Sequence, residues 1–274
     1  MKLFNSLMAA ALVLSVSACK KVERIEVSPA TVALSEAGQT VALTAQALTA
    51  DGEPVEKAQF EFASSDEKVA TVDAAGKVVA VKSGSATITV KANEKSAAAP
   101  VEVIIPSAIL IKGAPFTLTG IGSELAVEGE VQDDASRPVK EAKLDYSLAD
   151  ASVVQLEGNR LVAVAPGTAT VKATSGKLTQ TFDVTVKLPE VDTVAFETVP
   201  ATLKVGESAA LAVVAKGTDG AAIKGVSFTY STSDEKIATV DATGKVTAIK
   251  AGAVTVKAEG GSKATETKLT IKKK

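Results

Sequence analysis

Histidine and tryptophan are absent from this 274-residue chain, cysteine occurs once, and aromatic residues make up only 3% of it. Each absence removes a class of chemistry. Without histidine, the commonest acid–base group at neutral pH is missing. Ser-His-Asp and Cys-His hydrolytic arrangements go with it. One cysteine allows no intramolecular disulfide, and the His and Cys ligands of zinc and most transition-metal sites are wanting. Charge of one sign is lacking too, since 30 basic side chains stand against 32 acidic ones. Nucleic-acid binding calls for a concentrated basic face, so this balance offers no electrostatic case for it. No catalytic, cofactor-binding or metal-ligating residue is assigned from composition. No stretch after residue 19 keeps a helical period either.

The lone cysteine, Cys19, closes a distinct N-terminal segment. Met1-Lys2 makes a short positive start, and an apolar stretch follows from Leu3 to Ala18. Small residues mark its exit in Val16-Ser17-Ala18-Cys19. A positive end, a short apolar core and a small-residue exit predict a cleaved secretory signal over residues 1–18. The run is shorter than the roughly 18 or more apolar residues of a spanning helix. The segment resembles the bacterial lipobox. That resemblance implies that the Cys19 thiol takes a diacylglyceryl group and that Cys19 becomes the acylated N-terminus, anchoring the chain in a membrane. Lys20 stands where many inner-membrane lipoproteins have aspartate, which implies the outer membrane in a Gram-negative cell.

What the remainder has in abundance is repetition. Ser65-Asp66-Glu67-Lys68-Val69-Ala70-Thr71-Val72-Asp73 recurs as Ser233-Asp234-Glu235-Lys236-Ile237-Ala238-Thr239-Val240-Asp241, an offset of 168. A third copy lies halfway: Phe62, Tyr146 and Tyr230 are spaced by 84, as are Phe60, Leu144 and Phe228, and Gly38, Gly122 and Gly206. The middle copy has drifted. Its Leu161 to Gly167 matches Val78 to Gly84 at an offset of 83, and Asn159 stands where Gly76 and Gly244 do. Asn tolerates the left-handed region better than most residues, so a positive φ is expected at Asn159.

Within each copy the period is two. Ala86, Ile88 and Val90 alternate with Ser85, Thr87, Thr89 and Lys91, and Gly, Asp and Pro divide such runs. Alternation of this kind predicts half-buried strands, with Asp73 to Gly76 and Asp241 to Gly244 as turns. About seven strands in some 84 residues predict an all-β, two-layer sandwich of immunoglobulin type. Phe60 with Phe62, and Phe228 with Tyr230, share strand faces and are expected between the sheets; an exposed sugar-binding platform is the alternative. Residues 97–111 form the most apolar stretch after Cys19. Pro100, Glu102 and Pro106 argue against a membrane span there, so a last strand, a joint and a first strand are expected.

These repeats resemble the bacterial immunoglobulin-like domain, group 2, found in intimins and invasins. The resemblance rests on Val22 to Pro29, Leu34, Gly38, the Ser64 to Asp73 string, Gly76 and Gly84-Ser85-Ala86-Thr87-Ile88. Phe62, Tyr146 and Tyr230 stand where the family often has tryptophan. The resemblance implies three tandem Ig-like β-sandwich domains after the signal peptide, over 22–105, 106–188 (divergent) and 190–272. Short proline-containing joints near Ile105-Pro106-Ser107 and Lys187 to Glu190 predict a semi-rigid rod, on the order of 100 Å for strands rising about 3.3 Å per residue.

A non-enzymatic cell-envelope lipoprotein serving adhesion, spacing or scaffolding is the reading these features support, lipid-anchored at the outer membrane or cell surface. A receptor-like module for a specific glycan or matrix protein is the alternative, with its ligand on domain-end loops. The Asp133-Asp134-Ala135-Ser136-Arg137 loop is the most distinctive of these and reads first as a solvated turn. A carboxylate-only glycosidase could use Asp66, Glu67 and Asp73. Their recurrence as Asp234, Glu235 and Asp241 marks them instead as architecture. Carboxylates can also bind calcium, though no D-x-D-x-D-G loop is present. Lys272-Lys273-Lys274 reads as a solubilising end to an edge strand, or as a contact for an anionic polymer.

Overall fold

The computed structural model describes residues 21–274. Cys19 and the signal segment lie outside the described residues. The first repeat holds β1 (Arg24–Ser28), β2 (Val32–Leu34), β3 (Thr40–Ala42), β4 (Thr44–Leu48), β5 (Glu61–Ser64), β6 (Ala70–Val72), β7 (Lys77–Ala80), β8 (Gly84–Ala92) and β9 (Lys95–Val103). The second holds β10 (Pro106–Ile111), β11 (Phe116–Thr119), β12 (Glu124–Ala126), β13 (Gly129–Asp133), β14 (Asp145–Leu148), β15 (Val154–Glu157), β16 (Arg160–Ala163), β17 (Gly167–Ser175) and β18 (Leu178–Lys187). The third holds β19 (Thr193–Thr198), β20 (Thr202–Lys204), β21 (Ser208–Ala210), β22 (Ala212–Lys216), β23 (Phe228–Thr232), β24 (Ala238–Val240), β25 (Lys245–Ala248), β26 (Gly252–Gly260) and β27 (Lys263–Lys272).

One topology occurs three times. Each repeat has a four-stranded sheet, ordered β2-β9-β8-β5, β11-β18-β17-β14 and β20-β27-β26-β23. Against it stand a three-stranded sheet (β3-β7-β6, β12-β16-β15, β21-β25-β24) and a two-stranded one (β1-β4, β10-β13, β19-β22). The first strand of each four-stranded sheet runs parallel to its neighbour, as in β2 with β9, β11 with β18 and β20 with β27. Tandem Ig-like sandwiches are thus the architecture.

Nine strands stand where seven are expected, because the first two strands of each repeat break and change sheets. In the first repeat the break after β1 falls at Pro29, which has no amide to donate to a ladder. β1 pairs with β4, whereas β2 joins β9. The break between β3 and β4 is Leu43, whose side chain is buried and whose amide bonds the Gly76 carbonyl at 2.8 Å.

Strand periodicity decides what is buried. On β8, Ala86, Ile88 and Val90 are buried while the residues between them are half-buried or exposed. Ile88, Val101 and Val103 meet Leu34, Leu43 and Val78 in the first repeat; Val154, Leu161, Val171 and Val184 form the centre of the second; Val246, Val256, Leu269 and Ile271 form that of the third. Each such Val, Leu or Ile contributes about 1.5–3 kcal/mol by leaving water. The centres are mainly aliphatic, with Phe182 buried in the second. Phe60, Phe62 and Phe228 are half-buried and pack against these cores.

The described residues form two compact units, one running to Pro106 and including Asp133–Arg137, the other comprising Ser107–Gln132 and Pro138–Lys274. In the second unit Ile121 covers Gly225, where an added Cβ would stand 2.3 Å from Ile121 Cδ1.

Candidate functional site

The recurring acidic residues are built into turns. Asp66 accepts the Lys68 amide at 2.9 Å, and Asp234 accepts the Lys236 amide at the same distance. Asp73 accepts the amides of Ala75 and Lys77, and Asp241 those of Thr243 and Lys245 with the Thr243 hydroxyl. A carboxylate bonded to the backbone two residues on is an Asx turn, which shapes the hairpin locally. Glu67 and Glu235 are exposed. Among the described residues no group of three His, Cys, Asp or Glu is placed to hold a metal ion.

The Asp133–Arg137 loop is not the solvated turn its sequence suggests. Asp133 is buried to 3% exposure. Its Oδ1 accepts the amides of Ala135 and Arg137 at 2.9 Å, and its Oδ2 meets the Arg137 guanidinium at 2.8 Å. Within the first compact unit, Asp134 accepts the Ser83 amide at 3.0 Å and donates its own amide to the Ile105 carbonyl at 3.1 Å. Ser83 is itself buried, and its hydroxyl accepts the Ile105 amide at 2.7 Å. Nothing in the local sequence points to the Asp134 contacts, because Ser83 and Ile105 lie some 30 to 50 residues away.

Two carboxylates make the first unit acid-sensitive. Burial pushes Asp133 up, but its bonds to the Arg137 amide, the guanidinium and the Ala135 amide prevail, and its pKa lies below the ordinary 3.8. Hydrogen bonds from Lys95 and then Lys21 hold half-buried Glu23 at about 2. A depressed carboxylate stabilises fully above its unfolded pKa and loses that contribution as pH falls through the folded value. Local opening near these groups is therefore expected to be flat from pH 8 to 5 and to rise as pH falls from 4.5 toward 2. Pulsed amide exchange on residues 23 and 133–137 reads it, and a flat profile down to pH 2 counts against both pairings.

The middle repeat departs from its neighbours at one turn. Gly76 and Gly244 both have φ of +79°, as expected, but Asn159 has no positive φ; Gly158, at +65°, takes that conformation instead. Asn159's neighbours explain the correction. With one residue fewer, Glu157 pairs with Arg160 and only Gly158-Asn159 connects them. A glycine of positive φ at the first of two loop residues is the pattern of a type II′ hairpin. The Asn159 amide group is then free to donate to the Val127 carbonyl at 3.1 Å. Beside it Tyr146 makes an edge contact with Phe182, which in turn meets Phe116. Partial burial pushes the Tyr146 phenol up.

Repeated sandwiches with acidic turns define a bacterial Ig-like array, and comparison gives the family. The model for the bacterial Ig-like domain (group 2) matches residues 21–103 and 190–271, more than half of the chain, and the chain belongs to that family. The middle repeat lies outside both matched segments. Ice-binding protein 1 of Shewanella frigidimarina is 26% identical over 240 residues, 85% of this chain and 27% of that protein. The chain thus spans about a quarter of the length of this relative. Domains 1–6 of the surface layer protein SbsC align over 93% of this chain and 41% of theirs, with 16% identity and a TM-score of 0.31. Mouse cadherin-23 EC22-24 aligns over 92% and 99%, with 15% identity and a TM-score of 0.38.

Proposed function

We propose that this chain is a non-enzymatic lipoprotein of the bacterial cell envelope, anchored through acylated Cys19, whose three Ig-like domains (22–105, 106–188, 190–272) serve adhesion or act as a spacer and scaffold. The observation that carries the reading is the use of the repeated carboxylates. Asp66, Asp73, Asp234 and Asp241 each bond their own turn, so the acids a glycosidase would need are engaged in shaping hairpins. Among the described residues no helix is long and apolar enough to cross a membrane. The reading places the protein at the outer membrane or cell surface, by way of Lys20 after Cys19.

The expected result for Cys19→Ser is an intact fold that moves from the membrane fraction to the soluble one. If the substituted protein stays with membranes, the lipid is not the anchor. Protease shaving of intact cells separates the two roles: loss of the protein supports adhesion, and protection supports a periplasmic scaffold. A receptor-like role for a glycan is the second reading, favoured by a groove beside Tyr146 that is lined also by Glu130, Lys140 and Asn159.

A further inference from the structure

The middle repeat carries this groove at the place where it departs from the other two copies. Position 129 is glycine there, against Ala45 and Val213 in the flanking repeats. A Cβ at Gly129 would stand 2.7 Å from Tyr146 Oη and 2.9 Å from Leu144 Cδ1. Tyr146 therefore rests against bare backbone of β13, whereas Phe62 and Tyr230 lie over the turn glycines Gly76 and Gly244. The edge contact with Phe182, at 6.5 Å and 85°, holds the ring in place.

Two grooves border Tyr146. One groove, of about 550 Å³, is lined by Lys112, Glu130, Lys140, Leu144, Tyr146 and Asn159 among others. A second, of about 350 Å³, shares Tyr146 and Asn159 with it. The larger volume falls within the range of about 300–1,000 Å³ usual for small-ligand sites. The Tyr146 hydroxyl has no hydrogen-bond partner among the described residues, and it is open to solvent.

The lining selects a chemical class. Lys112 and Glu130 pair at 3.4 Å, and Lys140 on the rim is balanced by Glu128. An anionic or cationic ligand thus meets no net field. The open, half-polar lining also gives an acyl chain little to bury against. What remains is a held aromatic ring beside a phenol, an amide, a carboxylate and an ammonium group along a channel. A sugar ring has an apolar C–H face and an edge of hydroxyls that both donate and accept, and it matches each of these.

We propose that this groove binds an uncharged oligosaccharide, one sugar stacked on Tyr146 with its hydroxyls bonded to Tyr146 Oη, Asn159 and Glu130. The proposal rests on the receptor reading above and deepens it by naming the site and the ligand class.

The test is an amide chemical-shift titration of the mature chain carrying Cys19→Ser with cellohexaose, chitohexaose, maltohexaose and a linear mannan oligosaccharide. At least one is expected to give saturable shifts confined to residues 112, 128–130, 140–146 and 156–159. Tyr146→Phe keeps the ring and removes one hydroxyl bond, so affinity is expected to fall about tenfold. Tyr230→Phe, in the third repeat, is expected to change nothing. If Tyr146→Phe disturbs the spectrum of the free protein, Lys140→Ala on the exposed rim takes its place, with weakened binding expected. Saturable shifts that map outside the groove overturn the site and leave the receptor reading standing. No shifts with any of the four overturn the proposal and the glycan reading together.

Discussion

Asp133→Ala is expected to raise local opening of the Asp133–Arg137 loop by an amount equivalent to about 2–3 kcal/mol. The wild-type carboxylate is buried and accepts two amides and a guanidinium. Removing it takes their acceptor from the part-buried Ala135 and Arg137 amides, each net hydrogen bond being worth about 0.5–1.5 kcal/mol and more to a charged group. The full penalty of a broken buried ion pair, about 3–5 kcal/mol, does not apply, because the Arg137 side chain is 51% exposed and rehydrates. Asp134→Ala is expected to cost less, since it frees only the Ser83 amide. Native-state amide exchange at Ala135, Arg137 and Ser83 separates the two effects. Protection at Ala135 and Arg137 that survives Asp133→Ala would show that the loop is held by something else.

The second large effect belongs to the turn glycines, and it comes as a ranking. In Gly76→Ala the new Cβ falls 2.5 Å from the backbone carbonyl oxygen of Leu43 and 3.1 Å from the Phe62 ring. A residue with a side chain held at φ +79° already costs roughly 1–2 kcal/mol. A clash with backbone adds to this, because Leu43 cannot move without pulling β3 and β4; a total of about 3–4 kcal/mol is expected, at the upper end for single substitutions. Gly244→Ala meets the far end of Tyr230 at 2.9 Å and the Leu211 carbonyl at 3.3 Å. A tyrosine end swings aside more readily, so the effect is smaller. Gly158→Ala meets nothing within 4 Å and incurs the conformational cost alone. Denaturant unfolding of the three variants measures the order, and equal losses would refute the close-contact account.

That ranking also marks how far the turn was legible. The position of the turn follows from the 84-residue spacing, and the need for a left-handed residue follows from Gly76 and Gly244. The shift of that conformation to Gly158 does not, because deleting one residue changes which positions face each other across the hairpin, and pairing is a property of two strands. Nor does alternation reveal where a strand leaves one sheet for another. Pro29 marks a break but not that the chain beyond it joins β9, and Leu43 sits inside a run that reads as continuous and is divided only by its bond to distant Gly76.

The absences named first, of histidine, tryptophan and a second cysteine, settle much before any folding: they remove whole classes of catalytic and metal chemistry whatever the chain's shape. The repeat and its period of two determine that the protein is a series of β-sandwiches, because the alternation of side chains across a strand depends on local geometry alone. The candidate sites depend on distance instead. Asp134 in the Asp133–Arg137 loop meets Ser83 and Ile105, and Tyr146 rests against Gly129, seventeen residues earlier, which lacks a side chain. Both outcomes turn on which surfaces meet in space, and that was decided by the tertiary structure.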